Sequence, residues 1–583
     1  MDRDNLTAKQ NDYAVFLPAI SGFYATFIGK QRSDPNYVDQ TRMPSAINDM
    51  EELNWLNSQK SLFPYKWSLY SGGHANLDLS KFDPSEDMVR NREAGTFILG
   101  DSGGFQIAKG LWEGEWRDPT SAAVQKKLSD LQAAGVETRT HTDKKGKTKV
   151  TTIDHAKNYQ KLIDAAQKKR ESVLEWLDNI ADYSMILDIP TWVIHDPKAS
   201  KACGITELDE AVDATKYNNE YFMKHRKGKK NGGTKFLNVL QGDNHTSANQ
   251  WYETMKVYCD PTVYPDTHFD GWAMGGQNMC DVDLILRRLI ALKYDNLLQE
   301  GVHDWMHFLG TSKLEWAVLL TVIQRSVRKH INPNFTISFD CASPFLATAN
   351  GQVYHHIDLP HDEKWCYRMS PSIDDKKYAT DTRMWSDVII NDHIDHFKHF
   401  DESPISARCK INDICIYKDG VRKTSAELNG EEFDVTNLNH YNVAPDLNKI
   451  GKVGKTSWDS FSYALQMSHN VWTHIQAVQE ANRQFDQGNY PAMLRYSDGD
   501  HSKFEDIVEK IFSASTREES EQIIEYYSKY WMKIIGTRGF KGKKALNPNT
   551  KFNELFEFSD NDGSNEDEVD FDENLLNTLA RGI

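Results

Sequence analysis

Short apolar runs that stop at a polar or glycine residue recur along the first 340 positions of this chain. Residues 13–20, 67–71 and 96–100 are the first three, rich in the β-branched and aromatic side chains that suit a pleated strand. Five more follow at 184–187, 236–240, 271–274, 306–309 and 335–339. Between them the apolar period lengthens to that of a helix. It does so around Met50 to Leu56, over 153–180 (Tyr159, Leu162, Ala165 or Ala166, Val173, Trp176), and near 246–258. Two later stretches, Val282, Ile285, Leu286, Leu289, Ile290 and Leu314, Val318, Leu319, Val322, repeat it. Residues 206–209 read as a capped helix start, and 107–150 as an insertion.

From Gln241 onward the strand ends recur every 30–35 residues, the spacing of βαβ units in a parallel sheet. Eight such strands predict an α/β fold, a closed (β/α)8 TIM barrel rather than an open doubly wound sheet. In such barrels the site lies at the C-terminal strand ends. Here those ends are Asp101, Asp188, Gln241-Gly242, Gly275-Gly276, Gly310 and Asp340, a polar ring around one expected pocket. The alternation stops after residue 345. Residues 346–460 are polar and turn-rich, a long helical pattern runs over 461–482, and further helices are expected over 504–535. The expected organisation is a barrel over 1–345, a zinc-like subdomain with the last barrel helix over 346–490, and a helical extension with an acidic tail over 491–583.

Composition narrows the class. With 39% apolar and 26% charged residues in 583, the chain reads as a globular protein with ample length for a large core. No window of about 20 residues is continuously apolar and the first residues lack an apolar h-region, so a cytoplasmic, non-membrane protein is expected. Seven cysteines (203, 259, 280, 341, 366, 409, 415) are too sparse for a disulfide framework. Cys203, Cys259, Cys280, Cys341 and Cys366 read as packing residues. Net charge is −17, much of it in the segment 559–574, whose acidic, aromatic-poor composition predicts mobility. Basic runs stand out against that background at 144–149 and 224–230. The first follows strand three and is expected on the pocket side, the second on the opposite face.

The chemistry concentrates in Gly100-Asp101-Ser102-Gly103-Gly104-Phe105-Gln106, where a buried strand ends and polar groups are presented as the backbone turns. By itself this stretch offers either Asp101 as a catalytic carboxylate or Ser102 as a nucleophile of the trypsin-like kind. The βα alternation, and Phe105 where the protease motif has proline, disfavour the second.

Together with Val239-Leu240-Gln241-Gly242, Gly271-Trp272-Ala273-Met274-Gly275-Gly276, His307-Phe308-Leu309-Gly310 and Phe339-Asp340-Cys341, in that order, this stretch resembles the queuine/archaeosine tRNA-guanine transglycosylase family. The resemblance covers roughly residues 90–350 and is extended by His469-Asn470. The family's zinc motif is Cys-x-Cys-x-x-Cys followed by His; this chain has Cys409, Cys415 and a distant His469. Its phosphate-contacting stretch after the last barrel Asp reads Ala342-Ser343-Pro344-Phe345-Leu346-Ala347-Thr348, without arginine. Such departures look most like the family's DNA branch. Members of that branch exchange guanine in DNA for a 7-deazaguanine and occur in bacteriophages and bacterial DNA-modification clusters.

The resemblance implies a retaining exchange through an oxocarbenium-like transition state. Asp340 is the expected nucleophile at C1′ and Asp101 the expected general acid/base. Asp188 would accept guanine N–H groups, and Gln241 with the Gly276 amide would donate to its carbonyl. Phe105 and Leu309 would sandwich the ring, Ser102, Gln106, Gly242 and Gly275 would complete the slot, and the glycine pairs would let the backbone approach a planar ligand. A structural zinc on Cys409, Cys415 and His469 is expected, with Asp413 as a candidate fourth ligand, and no organic cofactor. Expected partners are DNA (tRNA as the alternative) and a free, preQ0-like 7-deazaguanine base, with Lys144, Lys145, Lys147 and Lys149 touching nucleic acid. A homodimer or accessory protein would be compatible. Two competing readings are a barrel glycoside hydrolase using the same two aspartates and a non-catalytic family subunit.

Overall fold

The computed structural model describes residues 12–34, 43–142, 148–227, 233–276, 281–349, 352–373, 378, 380–392, 403–415, 460–494 and 503–535. In chain order its strands are β1 (Val15–Pro18), β2 (Trp67–Ser71), β3 (Phe97–Asp101), β4 (Val136–Thr142), β5 (Thr148–Asp154), β6 (Tyr183–Met185), β7 (Lys235–Leu240), β8 (Gly271–Met274), β9 (Trp305–Phe308), β10 (Thr336–Cys341), β11 (Gln352–Asp358) and β12 (Cys366–Pro371).

The eight apolar runs become the eight strands of one parallel sheet, ordered β1-β10-β9-β8-β7-β6-β3-β2. Its two outer strands meet through a parallel bridge at Ala19 and Leu69, with the Ile20 amide donating to the Leu69 carbonyl at 2.9 Å. The sheet is thus a nearly closed barrel, and its near-closure leaves few strand edges bare. The first residues of four strands, Trp67, Phe97, Tyr183 and Trp305, pack ring on ring inside it with centroids 4.8–5.9 Å apart. This aromatic layer fills the N-terminal mouth, so the polar strand ends lie at the opposite one.

Helices form the outer layer. His155–Ile180 starts where Asp154 caps it, accepting from the Lys157 amide at 2.8 Å. Leu208–His225 begins two residues after the expected Thr206. No side chain caps it; instead Thr206 donates to Glu210. Gly22–Ser33 carries no legible helical period because residues on all its faces are buried, Phe23, Tyr24, Phe27 and Ile28 among them. The pattern around Met50 to Leu56 is a single 3-10 turn, Met50–Leu53.

Beyond the barrel, Ser460–Asp486 packs between Leu314–His330 and Gly22–Ser33, the place of an eighth barrel helix. Phe504–Ser513 buries Phe504, Ile507, Val508, Ile511 and Phe512 at helical spacing against Leu314–His330. Arg517–Ile535 covers Val282–Tyr294, which explains why that helix is apolar almost all round. One continuous apolar cluster runs through barrel and C-terminal helices alike. Residues 352–371, expected as turns, form the antiparallel hairpin β11–β12. Among the described residues no helix is long and apolar enough to cross a membrane, and the six described cysteines are all free thiols. Residues 144–147 and 228–230 of the two basic runs and the acidic segment 559–574 lie outside the described residues.

Candidate active site

Strand register brings the two key carboxylates to one mouth. Asp340 pairs with Leu17 across β10 and β1, and Asp101 with Ser71 across β3 and β2. Because β1 and β2 meet at the closure of the barrel, both strand ends open on one cleft. It has a volume of about 140 Å³ and is lined by Ala19, Ser71, His74, Asp101, Phe105, Gln106, Asp340 and Phe345, among others.

Each carboxylate is held from behind. The Ser71 hydroxyl donates to Asp101 Oδ2 at 2.6 Å, and the Gly103 amide lies 3.4 Å from Oδ1. Asp340, 9% exposed, receives the Gly310 amide on Oδ1 at 2.9 Å, and His307 Nε2 lies 3.0 Å from the same oxygen. On its far side His307 Nδ1 is 2.9 Å from Ser338 Oγ, which itself accepts from the Trp305 indole at 2.8 Å. The Asp340 carboxylate can only accept, so His307 donates from Nε2, and in the neutral ring Nδ1 then accepts the Ser338 proton. The buried relay Trp305–Ser338–His307 thereby fixes the Asp340 carboxylate. Its Oδ2, without a hydrogen bond among the described residues, is the oxygen left for the cleft.

A second group of expected residues adjoins Asp101. Asp188 Oδ2 accepts from Gln241 Nε2 at 2.7 Å. Burial, reinforced by the neighbouring Asp101 charge, pushes the Asp188 carboxyl up to about 7, against the opposing pull of the Gln241 hydrogen bond. Gly104 runs against Asp188; a Cβ there would sit 2.6 Å from the Asp188 carbonyl oxygen. Gly275 and Gly276 press on Gln241, where added Cβ atoms would sit 2.6 Å from Nε2 and 2.8 Å from Oε1. Gly276 has φ +54° and Gly242 φ +142°, so both positions require glycine. Leu309 abuts Gly275. Phe105 instead lines the Asp101 side and packs on Trp192 at 6.2 Å, with Lys109 Nζ 5.5 Å over both rings.

Two amide oxygens, Gln106 Oε1 and Gln241 Oε1, are buried without a hydrogen-bond partner among the described residues. Leaving such an atom unpaired costs about 1–3 kcal/mol; Gln106 lines the cleft, so a ligand carrying an N–H donor there would relieve it.

Some expectations need correction. Ser102 is 1% exposed and its hydroxyl donates to the Ile186 carbonyl at 2.8 Å, tying β3 to the turn after β6. It therefore neither faces a ligand nor sits as a nucleophile. Among the described residues the expected zinc set is not gathered into a metal site. His469 has Nδ1 2.6 Å from Ser403 Oγ and Nε2 2.7 Å from the Tyr354 carbonyl, so both ring nitrogens are taken. Asp413 accepts from the Lys410 amide at 2.6 Å, and Cys409 and Cys415 lie in the apolar core. Among the described residues no three His, Cys, Asp or Glu side chains could hold a metal together. Lys149 is on β5, while Lys144, Lys145 and Lys147 are outside the described residues.

Sequence reasoning assigned no role to His307, Ser338, Ser71 or His74. The signal for the first two was present: His307 and Ser338 are register partners, a polar pair inside strands that are otherwise apolar. No protein-family model matches the chain, and no curated protein matches its sequence.

Proposed function

We propose that this protein is a base-exchange transglycosylase that replaces guanine in DNA by a 7-deazaguanine of the preQ0 type. The observation that carries the reading is the single cleft lined by both Asp101 and Asp340. Asp340 Oδ2 attacks C1′ as the C1′–N9 bond breaks, forming an aspartyl–sugar ester, and Asp101 gives a proton to the departing guanine. The incoming base then attacks C1′, displaces the Asp340 carboxylate, and loses its proton to Asp101. Asp188 and the unpaired Gln241 Oε1 offer acceptors for guanine N–H groups, and the Gly276 amide a donor for its carbonyl. A duplex target must leave the stack, at a cost of a few kcal/mol.

The test is incubation of the chain with duplex DNA, or with tRNA, carrying labelled guanine, in the presence of a free 7-deazaguanine. Labelled guanine is expected to leave DNA as the deazaguanine enters. Asp340→Ala is expected to lose the covalent protein–nucleic acid adduct while still binding. Asp101→Asn should slow exchange by about 10²–10⁴-fold. An adduct that persists in Asp340→Ala overturns the nucleophile. Exchange confined to tRNA overturns the choice of DNA, and release of reducing sugar from a glycan would make the protein a glycoside hydrolase.

A further inference from the structure

The helix His155–Ile180 is too long for the barrel it covers. Its 26 residues span about 39 Å at 1.5 Å per residue, whereas barrel strands of three to six residues span no more than about 20 Å. The barrel core takes up the helix from Ala166 onward, through Val173, Leu174, Trp176 and Leu177. Its first turns instead join a separate small cluster, in which Tyr159 and Ile163 pack with Val124 of the helix Ala122–Ala134. The helix leads back toward β6 from the C-terminal side of β3, so the projecting end stands at the mouth that holds Asp101 and Asp340.

This projection also carries the two-stranded ribbon β4–β5, exposed along most of its length, with Val136 and Val150 53% and 61% exposed. A ribbon that buries so little apolar surface contributes little to stability by itself. Charge distinguishes the projection from the rest of the molecule. Residues 121–169 hold eleven Lys and Arg against five Asp and Glu in a chain whose net charge is −17. Without residues 143–147 the balance is still eight against four. Lys157, Lys161 and Lys168 fall within one narrow stripe of the long helix, because spacings of four and eleven residues return to the same face. Asp164 interrupts that stripe between Lys161 and Lys168, and farther from the mouth the stripe turns acidic at Glu171 and Glu175. Lys126, Lys127, Lys157, Lys161 and Lys168 are exposed, Lys127 lying 4.4 Å over the Tyr159 ring, and among the described residues none of them forms an ion pair with a carboxylate.

We propose, building on the function inferred above, that residues 121–142 and 148–169 form an arm that grips the phosphate backbone of duplex nucleic acid beside the nucleotide held in the cleft. The five exposed lysines make the phosphate contacts, and the ribbon has the cross-section that a major groove admits. The arm supplies the cations missing from the Ala342–Thr348 stretch, and it offsets the repulsion between a polyanion and a cleft that itself carries carboxylates.

The test compares the full chain with a variant carrying Lys126→Gln, Lys127→Gln, Lys157→Gln, Lys161→Gln and Lys168→Gln, titrated with a 30-base-pair DNA duplex at increasing salt. Five lost phosphate contacts should lower the slope of log Kd against log salt by about 4–5, with the melting temperature unchanged. A variant that keeps the wild-type slope overturns the arm, and so does a wild-type chain without measurable affinity for the duplex. Base exchange is scored separately: a chain that shows the slope change but exchanges no base retains the arm and removes the transglycosylase reading alone.

Discussion

Asp188 shows how one buried residue sets a pH dependence. Its carboxyl titrates near 7 in the folded chain and near 4 when unfolded, chiefly because burial penalises the anion. Between those values the folded protein holds a proton that the unfolded chain has released, so stability falls as pH rises through the window. Above it the cost is on the order of 4 kcal/mol. Asp188→Asn removes that cost while keeping an oxygen toward Gln241. We expect the variant to melt higher than wild type at pH 8, with the difference shrinking toward pH 4. A difference that stays constant across pH 4–8 would mean that ionisation of Asp188 is not its source. The anion is the form that accepts N–H donors from a bound base, so the same substitution should weaken base recognition most at high pH.

Among the elements, Ser460–Asp486 ties together the region around Cys409, Cys415 and His469. Cys409, Cys415 and His469 suggested a zinc knot, but the helix holds this region through its own side chains. Ser462 donates to the Ile414 carbonyl, Asn470 receives the Tyr354 amide at 2.9 Å, and His469 joins Ser403 to Tyr354. Burial pushes the His469 imidazole down to about 4, so it stays neutral and makes both contacts near pH 7. Removal of divalent metal with a chelator is accordingly expected to shift the melting temperature by less than about 1 °C. A loss of several degrees that zinc restores would show that a metal holds this region after all.

For the molecule as a whole, near-closure of the barrel and the aromatic layer at its base hold the site in shape. Trp305 contributes twice. Its ring packs on Trp67, Phe97 and Tyr183, and its indole N–H starts the chain that ends on Asp340. Trp305→Ala should cost about 3–5 kcal/mol in urea unfolding. It should also slow adduct formation at Asp340 by more than it weakens nucleic-acid binding, because Ser338 and His307 lose their anchor. Equal losses in both would place Trp305 outside that relay.

Much of the barrel was legible along the chain because its determinants are local. A strand buried on both faces must be continuously apolar, and the chain must turn polar or to glycine where it leaves the sheet; hence all eight strands and the carboxylates at their ends could be placed. The helix Gly22–Ser33 escaped because burial on every face erases the amphipathic period. What tertiary structure alone decided were matters of partnership at long range. Ser102 and His469 carry groups capable of chemistry, yet each spends its polar atoms on a carbonyl or hydroxyl brought near by folding. His307, given no role in sequence, is placed behind Asp340 only because β9 and β10 pair in a particular register. Residue type determines which bonds a side chain can make; only the packed chain determines which of them are already made.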